Sequence, residues 1–330
     1  MSQAFSNQFT QHANIELPLI GGAMYPCSNP ELVAAISNTG GIGIVQPVSL
    51  TYVYGYEFRA GLRYIKTLTN KPIGMNVLIE QSSKTYQNRM RHWIDIALQE
   101  GVRFFVTSLG KPDWVVDRVH AENGIVYHDV TEKKWAEKGM QAGVDGLIAV
   151  NNRAGGHAGQ HPPETLYHTL TEFNVPLICA GGIADPLDFL AALQTGYAGV
   201  QMGTRFIASH ECQVNAAYKQ AIVNAKSTDI VLSERITGVP VSVINTPYIT
   251  HMGLTAGPLA RWMLRGKKRK HVMRAIYTFK SMWQLKRASI RENRQQDFWQ
   301  AGKSVEQITS IDTVDDIVSS FQDALNKTRA

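Results

Sequence analysis

The chain is short of covalent ties. Cysteine occurs only three times in 330 residues, as Cys27, Cys179 and Cys212, with no CxxC pair among them. An odd, scattered set excludes a disulfide frame and a cysteine zinc site, and no other metal site is expected. Free thiols fit a reducing compartment, so a cytoplasmic location is expected. Long hydrophobic runs are also missing. No window approaches the roughly 18 uninterrupted apolar residues of a membrane helix. The opening MSQAFSNQFTQHANIEL has no basic region followed by an apolar one. Neither a membrane span nor a signal peptide is therefore expected. No GxGxxG follows a candidate strand, which argues against a Rossmann-type dinucleotide site. Hydrophobic residues are 44% and charged residues 18%, so a sizeable core is within reach of an ordinary globular chain.

Acidic residues are scarce in one place. Arg261 to Arg294 holds twelve Lys or Arg against Glu292 alone, a local charge of +11, so the remainder carries about −5 of the net +6. The plain reading is a solvated helical face; the sharper one is a docking surface for an acidic partner. No nucleic-acid motif accompanies the charge, so nucleic acid is not expected as a partner.

Against these absences stands a repeated pattern. Eight short, near-continuously apolar runs occur: LPLIGGA (17–23), GIGIVQ (41–46), PIGMNVLI (72–79), FFVTSL (104–109), IVYHDV (125–130), GLIAVNN (146–152), PLICAGG (176–182) and GVQMGT (199–204). Parallel strands covered on both faces read this way, and the spacing is that of βα units. Between several of them lie helical patterns that run into glycine: NPELVAAISNTG, RMRHWIDIALQEG, EKKWAEKGMQAG and DPLDFLAALQTG. Asn29-Pro30 and Asp185-Pro186 suit N-cap and N1 positions. Eight units predict an α/β fold, a (β/α)8 TIM barrel, over an open doubly wound sheet. The rhythm stops after residue 225. We expect three regions: a barrel at 1–225, a smaller, mainly helical C-terminal subdomain at 226–296 serving as substrate or lid domain, and a segment at 297–330 that returns to the barrel. TVDDIVSSFQDALNK is an amphipathic helix capped by Thr313 that should pack back on the barrel.

In such a barrel the chemistry lies at the C-terminal ends of the strands. Gly181 and Gly182 follow the seventh run, and Gly203 and Thr204 follow the eighth. Loops seven and eight are where barrels of this kind hold phosphate, with backbone N–H groups and the Thr204 hydroxyl as donors. Gly22, Ala23 and Met24 follow the first run, where small residues let a flat group approach the backbone. Asn76 ends the third run's GMN and offers an amide to a heteroaromatic edge. A phosphate at one side of the mouth and a flat ring over its centre together suggest flavin mononucleotide (FMN). After the sixth run comes RAGGHAGQH (153–161). Ala154, Gly155 and Gly156 again allow close backbone approach, and His157 is the candidate catalytic group, a neutral imidazole able to accept a proton from an acidic carbon.

These segments together resemble the nitronate monooxygenase family, formerly 2-nitropropane dioxygenases. The matching pieces are LPLIGGAM, TGGIGIV, GMNVLI, RAGGHAG, PLICAGGIAD and GVQMGTRFIASHEC, with FWQAGKSVEQI near the end. The resemblance implies a flavoprotein oxidoreductase with FMN in a TIM barrel. It implies oxidation of alkyl nitronates by O2 to a carbonyl compound and nitrite, with His157 acting on a small-molecule substrate. Two positions depart from the family's usual pattern: Arg153 where Glu is common, and Asp129 where Lys or Thr is common. Arg153, Tyr248 and Trp299 are candidate substrate residues. An NAD(P)H-dependent flavin reductase of the same superfamily, of quinone or enoyl-ACP type, is the alternative reading, and a non-catalytic flavin- or phosphate-binding module is the alternative of another class.

Overall fold

The computed structural model describes residues 5–80, 84–235, 239–255, 285–290 and 298–328. Each of the eight apolar runs forms a strand: β1 (Leu19–Gly21), β2 (Ile42–Val45), β3 (Ile73–Leu78), β4 (Phe104–Ser108), β5 (Ile125–Val130), β6 (Gly146–Val150), β7 (Leu177–Ala180) and β8 (Gly199–Met202). All neighbours are parallel and the sheet closes through β8 and β1, with Ile20 opposite Gln201. The expected (β/α)8 barrel is the fold.

Closure divides each apolar run between two environments. Ile20, Ile42, Ile44, Phe104, Val106, Tyr127, Ile148, Ile178 and Ala180 share one cluster inside the barrel. Intervening residues such as Leu19, Val45, Met75, Phe105 and Leu147 join the cluster between sheet and helices. Both faces are dry, which is why the runs show no polar alternation. The first helix, Gln8–Ala13, closes the lower end: Phe9 is fully buried, with its ring centroid 5.7 Å from Tyr127 and 6.1 Å from Phe104. Tyr127 fits because Gly146 carries no Cβ, which would lie 2.4 Å from the tyrosine Cζ.

The helix signals act locally as expected in two cases and differently in a third. Asp185 caps Pro186–Thr195 by accepting from the Asp188 N–H at 2.8 Å, and Thr313 caps Val314–Lys327 through Asp316 at 3.0 Å. Asn29 precedes Pro30–Asn38, but its side chain makes no cap bond. Its amide instead donates to Glu211 O at 2.9 Å and accepts from the Gln213 N–H at 3.0 Å, tying the chain after β8 to the first crossover. The last helix does pack back on the barrel, with Phe321 edge-on to Phe189 at 5.3 Å.

Part of the stretch expected to be mainly helical is not. Residues 226–255 hold an antiparallel pair, β9 (Ile230–Ser233) and β10 (Val241–Ile244), followed by the short helix Pro247–Met252. Val241 and Val243 are buried against Ile249, Leu285 and Phe298, so the hairpin is fixed by packing that its own sequence does not display. Most of the basic segment 261–294 lies outside the described residues; residues 285–290 within it are helical. Among the described residues no helix is long and apolar enough to cross a membrane.

Candidate active site

The inward parity of the barrel, carried to the strand ends, builds the floor of the mouth. Gly22 follows Ile20 by two residues, Gln46 follows Ile44, Asn76 follows Gly74, and Asp129 follows Tyr127. Val150 follows Ile148, and Gln201 follows Gly199. The Asn76 amide donates to Val106 O at 3.2 Å and is buried. The Gln46 side-chain oxygen accepts from the Ser49 N–H at 2.7 Å. The Gln201 side chain lies over Gly22, where an added Cβ would come within 3.0 Å of its Cγ. Asp129 stands apart: among the described residues its buried Oδ1 meets no hydrogen-bond partner, and burial pushes its carboxyl up to about 7. A bare carboxylate oxygen at such a place costs free energy unless a proton or a ligand meets it.

One side of the mouth is rich in glycine. Gly181 and Gly182 have φ of 116° and 82°, which L residues with a Cβ rarely adopt. A Cβ on Gly181 would meet Ala154 N at 2.6 Å, and one on Gly182 would meet Arg153 Nε at 2.5 Å. The turn after β7 is therefore in direct backbone contact with the loop after β6. Just after β8, a Cβ at Gly203 would approach Met24 Sδ to 3.3 Å, which places Met24 beside the Gly203-Thr204 turn. The buried Thr204 hydroxyl oxygen accepts from the Gly302 N–H at 2.9 Å, and among the described residues its own proton has no acceptor. The structure thus gathers Gly181, Gly182, Gly203, Thr204 and Met24 along the β7–β8–β1 arc. Gly22, Ala23 and Asn76 lie in or beside the mouth.

The glycine-rich loop is clamped from both sides. Asn151 is its anchor: its amide donates to Gly181 O at 2.9 Å and its side-chain oxygen accepts from the Arg153 N–H at 2.8 Å. Asn152 donates to His161 O at 2.9 Å and closes the loop. On the outer side the Ser242 N–H of β10 donates to Gly156 O at 2.7 Å, and Lys303 N–H to Arg153 O at 2.8 Å. Gly302 wedges against the loop, where an added Cβ would lie 2.6 Å from Arg153 O and 2.7 Å from Gly155 N. His157 is exposed to solvent as a residue, and desolvation by the surrounding atoms lowers its pKa. A lowered pKa keeps the imidazole mainly neutral at pH 7.

The three candidate substrate residues have different surroundings. Arg153 lies over Gly182 and pairs with Asp188 at 3.4 Å, on the β7 side. Trp299 is buried, stacks on Tyr218 at 5.6 Å and donates its N–H to Ala288 O at 3.1 Å, so ring and N–H are both engaged in packing. Tyr248 packs half-buried against the hairpin cluster. Sequence reasoning missed Gln46, Gln201 and Gly302. For the two glutamines the signal was a polar residue at or near the end of an otherwise apolar run, GIGIVQ and GVQM. Gly302 stood in the FWQAGKSVEQI motif, but its role was hidden because the residues it packs on lie 98 residues and more away in the chain.

A family model described as nitronate monooxygenase matches residues 6–323. The chain belongs to the nitronate monooxygenase family. A probable nitronate monooxygenase of Staphylococcus aureus (strain Newman) is 26% identical, over 82% of this chain and 86% of that protein. A 5-hydroxy-7a-methyl-1-oxo-octahydro-1H-indene-4-carboxyl-CoA dehydrogenase of Rhodococcus jostii (strain RHA1) is 29% identical, over 76% of this chain and 70% of that protein. The solved structure of FabK from Thermotoga maritima superposes with a TM-score of 0.79 at 26% identity, covering 98% of this chain and 99% of that one. The chain is accordingly an oxidoreductase, and its mouth is that of a nitronate monooxygenase family barrel.

Proposed function

We propose that this family member is an FMN-dependent nitronate monooxygenase that oxidises alkyl nitronates with O2 to a carbonyl compound and nitrite. The supporting observation is the direct packing of the Gly181-Gly182 turn on the loop that carries His157. This contact brings the glycine turn and the loop of the candidate base together on one rim of the barrel, with the Arg153 side chain over Gly182. The residues fit the cofactor. Gly181, Gly182, Gly203 and the free proton of Thr204 suit its phosphate. Gly22, Ala23, Met24, Asn76 and the backbone of Ala154, Gly155 and Gly156 suit a flat ring, and the unsatisfied Asp129 oxygen suits its polar edge. Bound FMN supplies the electron acceptor that no side chain provides. His157 in its neutral form takes the proton from the carbon acid when a neutral nitroalkane is offered. Arg153, held by Asp188, adds positive charge beside the β7 turn.

A second reading is favoured by the carboxyl-CoA dehydrogenase relative: redox chemistry at an acyl thioester, with NAD(P)H or the thioester exchanging electrons with the flavin. The +11 segment at 261–294 would suit an acidic carrier or a nucleotide phosphate. A visible spectrum of the purified protein tests the cofactor. Anaerobic mixing then separates the readings. Bleaching of the flavin by a nitronate and not by NADH supports the first, and rapid bleaching by NADH overturns it. The three cysteines are free and buried, in keeping with the proposed cytoplasmic location.

A further inference from the structure

We propose that Asp129 is the proton store of the flavin site: its carboxyl takes up one proton from solvent each time the ring over the mouth is reduced. The inference rests on the reading of the mouth as a flavin site. Its own ground is geometric. Asp129 pairs in register with Ile148, an inward residue of the barrel cluster, so the carboxyl points into the mouth. Its Oδ1 is buried and meets no hydrogen-bond donor among the described residues. Other buried ionisable groups in the fold do have a neighbour: His128 on the same strand faces outward and bonds Thr107 Oγ1 at 2.8 Å, and Tyr127 meets His12 Nδ1 at 3.1 Å at the lower end.

Among the described residues no charged group offsets the carboxylate. By inward parity the facing side chains are Val106 and Ser108 from β4, Ile148 and Val150 from β6, and Asn76, Gln46 and Gln201 from the other strands, all uncharged. The loop after β6 contributes His157, which burial keeps neutral. Burial alone has already moved the Asp129 carboxyl to about 7. Two electrons and one proton entering the ring leave one negative charge over the mouth, and that charge pushes the carboxyl further up. Asp129 then binds a second proton, so two protons and two electrons are taken up together, the electrons coming from substrate in turnover. On reoxidation the proton returns to solvent.

The test is a dithionite redox titration of the FMN-loaded protein and its Asp129→Asn variant between pH 7 and 9. The slope of midpoint potential against pH counts protons per electron pair. Two protons in the wild type and one in the variant are expected, a twofold difference in slope. Equal slopes in two flavin-loaded proteins overturn the proposal while leaving the flavin site intact. Loss of FMN binding by the wild type overturns the flavin reading itself. Infrared titration of the apoprotein is independent of the cofactor. A protonated-carboxyl band that disappears on raising the pH through neutrality, and is absent from Asp129→Asn, is expected; a wild-type protein without that band overturns the assignment.

Discussion

Replacing Gly302 by alanine adds one methyl group at a contact made only of backbone. The new Cβ would stand 2.6 Å from Arg153 O, 2.7 Å from Gly155 N and 3.0 Å from Ala154 C. Non-bonded carbon contacts settle at about 3.5 Å. The loop and the 299–303 segment must therefore separate by close to 1 Å, and no flexible side chain is present to absorb it. Separation strains the Lys303–Arg153 bond and the Gly302–Thr204 bond together. Overpacking of this kind costs about 1–3 kcal/mol, which lowers Tm by a few degrees in a domain of this size. The larger effect falls on chemistry, because the displaced atoms belong to the loop that carries His157. A misplacement of about 1 Å at a reacting group costs on the order of 10²-fold in rate. The measurements are kcat on a nitroalkane, FMN affinity by fluorescence, and Tm. A Gly302→Ala protein with wild-type kcat, FMN affinity and Tm would refute the claim that this contact sets the loop.

Three further outcomes are expected. His157→Asn should retain FMN and slow turnover of a neutral nitroalkane by about 10²–10⁴-fold. Because desolvation lowers the His157 pKa, the wild-type kcat/KM should hold on acidification and fall only below 6.5, and an acid limb above that value would exclude His157 as the base. Asp129 has a folded pKa raised from 3.8 to about 7, so the stability linked to its protonation is present at low pH and lost as pH rises to about 7. Asp129→Asn should thus raise the Tm of the apoprotein at pH 8, by up to roughly 4 kcal/mol of stability, and barely change it near pH 4; equal effects at the two pH values would count against a buried, unpaired carboxyl. Glu100 is held down to about 2 chiefly by Arg63, with Arg59 and Lys66 beside it. Those cations are partly exposed and screened, so Glu100→Gln should cost about 1 kcal/mol at pH 7. The loss should shrink as acid titrates the carboxylate from the ordinary range down to about 2, and denaturation in high salt at two pH values checks it.

The eight strands were legible because each is a short apolar run bounded by glycine or a polar turn, and the spacing of βα units leaves little freedom in a closed sheet. The position of Gly181, Gly182, Gly203 and Thr204 just after the seventh and eighth strands was legible because strand order assigns those loops without coordinates. The hairpin of β9 and β10 was not. VSVI is four residues long, and its partner IVLS is only partly buried, so the pairing rests on Leu285 and Phe298 from elsewhere in the chain. Asn29 shows the same limit on a smaller scale, since the sequence announces a cap and the fold spends the amide on Glu211 and Gln213.

The sequence by itself determined the barrel, the order of its loops and the family, since these follow from local periodicity and from motifs read along the chain. Tertiary structure alone decided which face each strand residue takes. Both faces of a buried parallel strand are apolar, so IVYHDV does not say whether Asp129 faces the mouth or the helices. Closure of the sheet turns it inward and leaves its oxygen bare. The same holds for RAGGHAGQH, whose glycines announce a flexible loop. Asn151, Ser242, Gly302 and Lys303, three of them far along the chain, hold that loop in one place beside the Gly181-Gly182 turn.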